Sequence, residues 1–360
     1  MSPPTVSVVM SVFNGQTFLS EAIESILDQT YRDYEFVIID DGSTDKTVEI
    51  LAEYSARDAR IRVHRHENKG RATSLNIGIE LSKGLYIARM DADDVALPTR
   101  FHQQIEFMER HSDVIVLGGA VELINPAGEA IHTVRQPLED DRIRSAMQVH
   151  SPIYHPTVFM TREAVLAAGG YRRALLDADD YDLWLRMAEL GKLANLGEVI
   201  LRYRVHTNQV SLRGMRQQVF CVLAARAAAK ARRHGNADPL WEADGVTPEL
   251  LSALGVTHAE IQQASLRNYS DWIQVVERCD QSAGLRITQE FLSQADPRCV
   301  GGAALANGWL RVASIHRKQG RPLQALLGLG RAVLARPMVA GRPLKRIHAQ
   351  VLAALKKLSV

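Results

Sequence analysis

Cysteine is scarce in this chain, and that scarcity narrows its class. Cys221, Cys279 and Cys299 are an odd number with no metal-ligand spacing, so neither a disulfide framework nor a thiolate metal site is expected. A reducing compartment is the default setting. Long apolar runs are missing too. The longest mostly apolar run, Val114 to Ile124, is too short to span a bilayer and contains Glu122. The opening Met1-Ser2-Pro3-Pro4-Thr5 has no basic segment before an apolar run, so no secretory leader is expected. A cytoplasmic protein is the expectation. With 360 residues, 46% hydrophobic and 23% charged, the chain suits one large or two ordinary soluble domains.

Acidic residues are absent beyond Asp296. The first 296 residues hold 31 basic and 41 acidic side chains, a formal charge of −10, whereas the remainder holds 12 basic and no acidic ones. Such a split suggests a second task for the tail. Near its end Leu344, Ile347, Val351, Leu352 and Leu355 recur at helical spacing among Lys345, Arg346, Lys356 and Lys357. A basic amphipathic helix over about 343–358 can lie on an anionic membrane surface, or pack its apolar face on neighbouring helices. Peripheral attachment at the inner face of the cell membrane follows from the first reading. No nucleic-acid partner is expected.

Strand and helix patterns alternate from the start. Val6 to Val12 is a β-branched run that reads as a buried strand, and Leu19, Ala22, Ile23, Ile26 and Leu27 keep helical spacing. Further strands are expected over Glu35–Ile39, Ile61–His64 and Tyr86–Met90. Ser43 or Thr44 is expected to cap the helix carrying Val48, Ile50 and Leu51. This alternation implies right-handed crossovers and a mostly parallel sheet with flanking helices. Beyond residue 212 no strand-like run appears, so an all-α region is expected over 213–360 after an α/β domain over 1–212. Within it Trp309, Ala313, His316, Gly320, Ala325, Leu329, Ala332 and Pro337 follow the spacing of one tetratricopeptide repeat, a helical hairpin over about 306–337.

The chemistry gathers at strand ends. Met90-Asp91-Ala92-Asp93-Asp94 brings three carboxylates into four residues, and Asp91 and Asp93 would point to one side of a strand end. Carboxylates this close repel unless a cation sits among them; alone, such a run is more often a solvated turn. Asp94 lies outside the Asp91/Asp93 pair and is expected to matter less. In an open parallel sheet, ligands bind beyond the carboxyl ends of the strands, where Asn14, Asp40-Asp41 and Asp91/Asp93 all fall. Together they suit a sugar nucleotide held by a metal and by base contacts. Asp179-Asp180-Tyr181-Asp182 reads independently as the acidic N-terminus of a helix.

These motifs, with Asn68-Lys69-Gly70, Leu75-Asn76-Ile77-Gly78-Ile79, Gly169-Gly170-Tyr171 and Tyr203-Arg204-Val205-His206, resemble family 2 glycosyltransferases over roughly residues 5 to 212. The resemblance implies a GT-A fold and an inverting transfer of a sugar from a nucleotide-sugar donor to a glycan or lipid-linked acceptor. By the same resemblance Asp41 contacts the nucleotide base, with Ser11 lining that pocket. Asp93 would hold Mn²⁺ or Mg²⁺, and Asp91 the ribose or a metal-bound water. Asp180 matches the catalytic base. Asp179 stands where the family usually has glutamate, a shorter arm toward the acceptor. His155 is expected to open a strand on the acceptor side, and His206 to lie near the diphosphate or the metal. The Gln-x-x-Arg-Trp signature of processive synthases is absent, which implies single transfer, in surface polysaccharide or glycoconjugate synthesis. A sugar-1-phosphate nucleotidyltransferase is the enzyme alternative, but it needs a glycine-rich basic loop after the first strand, and Ser11-Val12-Phe13-Asn14-Gly15 offers none. A non-catalytic binding module is the other, against which the intact aspartates speak.

Overall fold

The computed structural model describes residues 3–175, 178–206 and 215–336. They form two compact units. The first runs to His206 and resumes over Arg216–Val256; the second takes in Met215 and the helices from Thr257 onward. Residues 216–256, grouped by sequence pattern with the C-terminal helices, thus pack within the first unit.

The first unit opens as the periodicity predicts, with β1 (Val6–Val12), α1 (Leu19–Leu27), β2 (Tyr34–Asp40), α2 (Thr47–Arg57), β3 (Ile61–Arg65), α3 (Arg71–Leu81) and β4 (Tyr86–Met90). Helices cover both faces of the central strands, so β1 carries apolar residues on both sides. Val6, Val8, Val9 and Met10 are essentially inaccessible, each contributing about 1.5–3 kcal/mol of burial. Leu19, Ala22, Ile23 and Ile26 form the buried stripe of α1. Gly78 on α3 lets that helix approach β1 closely, since a Cβ there would lie 2.6 Å from Val9 Cγ1. The expected cap of α2 is not made. Lys46 occupies the cap position, and the Ser43 and Thr44 side chains are engaged with Asn14 instead.

The rest of this unit comprises β5 (Val95–Ala96), α4 (Arg100–Arg110), β6 (Val114–Ile124), β7 (Ala130–Val134), α5 (Asp140–Ala146), β8 (Phe159–Thr161), α6 (Arg162–Ala167), α7 (Asp179–Met187), β9 (Lys192–Arg204), α8 (Met215–Arg233) and α9 (Pro248–Ala253). The nine strands make one sheet in the order β3-β2-β1-β4-β8-β6-β9-β5, with β7 beside β6. β3, β2, β1 and β4 are parallel, as expected. The other half is mixed, because β8 enters antiparallel between β4 and β6 while β6 and β9 run parallel. A three-residue strand has no period to read, so that change of direction was not legible. His155 does not open a strand either: His155–Thr157 is a 3-10 turn, and β8 begins at Phe159.

The second unit is helical: α10 (His258–Cys279), α11 (Gln281–Gln294), α12 (Pro297–Lys318) and α13 (Pro322–Ala335). Thr257 and Glu260 form a capping box on α10, and Asp280 and Asp296 cap the next two helices. Tyr269 stacks on Phe291 in a core that includes Ile273, Val276, Leu305 and Val312. α12 and α13 form the expected hairpin. They cross closely at Gly328, whose Cβ would meet Ala313 Cβ at 3.1 Å, and Ala325 and Ala332 are buried beside it. Pro337 and the basic segment over about 343–358 lie outside the described residues. Among the described residues no helix is long and apolar enough to cross a membrane, and the cysteines form no disulfide.

Candidate active site

The loops after β1 and β2 are laced together. Asn14, in the left-handed region at φ 51°, accepts from Thr44 N–H at 2.8 Å through Oδ1, and its own N–H donates to Ser43 Oγ at 2.9 Å. Gly15 N–H donates to Thr47 Oγ1 at 2.9 Å. Asp41 is buried, and its two carboxylate oxygens accept from Lys69 N–H at 2.8 Å and Gly70 N–H at 3.0 Å. It therefore fixes the loop that launches α3. Gly42, at φ 80°, allows this approach, since a Cβ would stand 2.7 Å from Asn68 N. Ser11 lies half-buried near the end of β1, level with Ile39 of β2.

The end of β4 is built differently. Asp91, Asp93 and Asp94 each place a carboxylate oxygen within 4.8 Å of the others. Burial, reinforced by Asp93 and Asp91, pushes the Asp94 carboxyl well above the usual range. Asp94 Oδ1 accepts from Arg204 N–H at 2.8 Å, while the buried Oδ2 has no hydrogen-bond partner. His206 Nε2 lies 2.9 Å from Asp93 Oδ2. The orphan oxygen, the crowded carboxylates and the adjacent imidazole fit a hard divalent cation, with His206 placed to ligate it or to orient Asp93. Asp94 is thus a member of the cluster and not a bystander, contrary to the sequence expectation.

Three arginines that sequence reasoning did not single out as site residues hold these acids. Arg89, buried within β4, pairs with Asp91 at 2.5 Å. Arg204 at the end of β9 donates to Asp93 O at 2.8 Å and to Pro126 O at 3.1 Å, and it pairs with Glu21 at 2.6 Å. Arg71, the first residue of α3, forms an ion pair with buried Asp179. Burial opposes charge on Arg71, but Asp179, Asp180 and Asp91 together outweigh it, so its pKa is raised. One signal was available: an arginine inside an apolar strand two residues before an aspartate needs a buried partner.

Asp179 and Asp180 open α7, as expected. The Asp180 carboxylate accepts from Tyr181 N–H at 2.7 Å. Burial first, then the Asp179 charge, raise its pKa to about 6, against the opposing pull of Arg71. His155 is buried with Nε2 2.8 Å from the Tyr171 hydroxyl, and burial holds it well below the usual histidine range, hence neutral. Tyr171 is itself tied to α3, since Asn76 Nδ2 donates to its carbonyl and Asn76 Oδ1 accepts its N–H, both at 2.8 Å. Two motifs far apart in sequence are thus bonded to each other. Trp184 is fully buried, and Arg186 donates to Gly170 O at 2.7 Å and pairs with Asp182 at 2.8 Å, so both serve packing, as expected. The structure therefore gathers Asp91, Asp93 and His206, sets Asp179 and Asp180 around Arg71, and places Asn14 and Asp41 in the loop network.

Comparison with known proteins bears on the family and on the fold. The model of glycosyl transferase family 2 matches residues 7–170. The O-antigen biosynthesis glycosyltransferase WbnJ of Escherichia coli is 33% identical, with the match covering 56% of this chain and 80% of WbnJ. The amylovoran biosynthesis glycosyltransferase AmsE of Erwinia amylovora is 32% identical over 58% of this chain and 79% of AmsE. The crystal structure of S. aureus TarS 1–349 in complex with UDP-GlcNAc superposes with a TM-score of 0.53 at 15% identity, covering 92% of this chain and 91% of that one, a likeness of fold. With parallel strands ending in the acidic clusters, and relatives matched over four-fifths of their length, this chain belongs to glycosyl transferase family 2 and is a glycosyltransferase.

Proposed function

We propose that this glycosyltransferase moves one sugar at a time from a nucleotide-sugar donor to an acceptor hydroxyl, with inversion at the transferred carbon. The observation that carries the reading is Asp180, a mostly buried carboxylate at the start of α7 with its pKa raised to about 6. Such a group is ionised at neutral pH yet basic enough to take a proton from an attacking hydroxyl. Asp91 contributes to the electrostatic field at Arg71 and Asp180, which supports placing the base and the acidic cluster in one centre. Asp91, Asp93 and Asp94, with His206, would hold Mn²⁺ or Mg²⁺, which when bound supplies positive charge to the departing diphosphate. The donor base would sit against Ser11 and Asp41, whose oxygens keep lone pairs beyond those given to the Lys69 and Gly70 amides, while Asn14 shapes the loop. Asp179 and His155 fall to the acceptor side, the latter as a neutral partner of Tyr171.

The names of WbnJ and AmsE support surface polysaccharide or glycoconjugate synthesis, and the missing processive signature supports single transfer. Asp180→Asn is expected to lower transfer roughly 10²–10⁴-fold with donor affinity nearly unchanged, measured as turnover with a panel of nucleotide sugars beside donor calorimetry. Wild-type turnover in that variant would sink the assignment.

For a lipid-linked acceptor, the basic tail would hold the enzyme on the anionic inner leaflet, in keeping with 12 cations and no acid beyond residue 296. Co-sedimentation with anionic liposomes should weaken with salt and vanish on removal of residues 340–360. Binding that survives the truncation would overturn this attachment.

A further inference from the structure

Arg71 sits where a helix least favours a cation. It is the first residue of α3, at the positive end of the helix dipole, and no acid in that first turn offsets it. Its compensation comes from across the site. The guanidinium pairs with Asp179, which is only 2% exposed, and it lies within the field of Asp180 and Asp91. Among the described residues Asp179 is its one hydrogen-bond partner, and about a third of its side chain remains exposed. Its backbone is also fixed, because Asp41 grips the amides of Lys69 and Gly70 immediately before it. A rigid cation is thus aimed at the N-terminus of α7 from a neighbouring element.

We propose that Arg71 is a positioning residue for the base: through its ion pair with buried Asp179 it anchors the first turn of α7 and so fixes where the adjacent Asp180 carboxylate stands. This rests on the reading of Asp180 as base. The groups that act on Asp180 are Asp179 on its own helix, Arg71 on α3 and Asp91 at the end of β4, while the Tyr171 hydroxyl feels both α7 aspartates. Arg71 pulls the Asp180 pKa down, and Asp179 and Asp91 push it up. Removing Arg71 therefore moves proton affinity upward, and removing the Asp179 charge moves it downward. Damage to the fold cannot produce two opposite shifts.

The test is the pH profile of kcat for the full chain with donor and acceptor saturating. The wild type should lose activity as pH falls through about 6, with that limb abolished in Asp180→Asn. Arg71→Gln should move the limb up by about one pH unit, the size of shift an ion-pair partner commonly gives, so that the deficit is about threefold near pH 6.5, approaches tenfold near pH 5 and is largely recovered near pH 8.5. Arg71→Lys should keep the limb near its wild-type position, and Asp179→Asn should move it down. A limb that Arg71→Gln and Asp179→Asn leave in place, while Asp180→Asn removes it, overturns the role of Arg71 alone. A wild-type limb that persists in Asp180→Asn overturns the base itself and this inference with it. Should Arg71→Gln prove insoluble, the direction of the Asp179→Asn shift against that of Arg71→Lys decides: a limb unmoved in Asp179→Asn overturns the proposal.

Discussion

Two strand ends in the same sheet carry adjacent aspartates, and the protein treats them in opposite ways. At the end of β2, Asp40 faces Arg65 at 3.1 Å and accepts from Ser43 N–H, and Asp41 accepts from two backbone amides. These carboxylates are answered largely by the chain itself, although Asp40 Oδ2, like Asp94 Oδ2, has no hydrogen bond and only the Arg65 charge beside it. At the end of β4, three carboxylates crowd one another, one buried oxygen has no partner, and the nearest imidazole faces Asp93. Acids answered internally hold loops in place; acids left partly unanswered keep lone pairs that a cation could take. In the sequence Asp40-Asp41-Gly42 and Asp91-Ala92-Asp93-Asp94 look like equivalent acidic turns. The difference lies in which donors the fold brings to each.

The strongest way to break this comparison is at β4. Asp93→Ala should lose metal-dependent donor binding, measured by calorimetry with and without Mn²⁺; equal affinity for the wild type under both conditions would refute the metal reading. Asp94→Asn keeps an acceptor for Arg204 N–H but removes a crowded charge. It should weaken Mn²⁺ at least as much as the roughly 10–100-fold of outer-shell changes, while Tm without metal stays level or rises. At β2 the sign should reverse. Asp41→Asn sets an amide donor against a backbone donor and should cost about 1–3 kcal/mol, or about 2–4 °C of Tm per kcal/mol in a unit of this size, with or without metal. If Asp94→Asn lowered the metal-free Tm as far as Asp41→Asn does, the two strand ends would not differ in kind.

Much of this was legible beforehand, for reasons that can be stated. β1 and β2 are covered on both faces, so continuous β-branched runs marked them, and the buried stripe of α1 follows helical spacing. Each acidic run alone reads as a turn or a helix start, and the aspartates were legible because two of the runs close parallel strands of one sheet and all match a family pattern in order. Arg71, Arg89 and Arg204 were not, since an arginine acquires meaning only from a partner that tertiary structure supplies. Arg204 reaches Asp94 across 110 residues of chain. The mixed half of the sheet escaped for a related reason: β8 owes its direction to β4 and β6 and not to any pattern in its three residues. Residues 216–256 read as the start of a helical region, yet Arg226 of α8 donates to the Tyr181 hydroxyl at 2.9 Å and Asp238 pairs with Arg172 at 2.7 Å. Those partners lie far upstream.

The reach of Arg204 also sets a timetable for the newborn chain. β1 to β4 and the helices between them are all synthesised by residue 90. The loop carrying Asp93 and Asp94 receives its Arg204 contacts only after a further 110 residues, roughly 5–20 s later at ordinary rates of synthesis. Throughout that interval the acidic loop lacks its strap. A ribosome stalled short of the end of β9 would hold a chain in which Asp93 and Asp94 still lack Arg204.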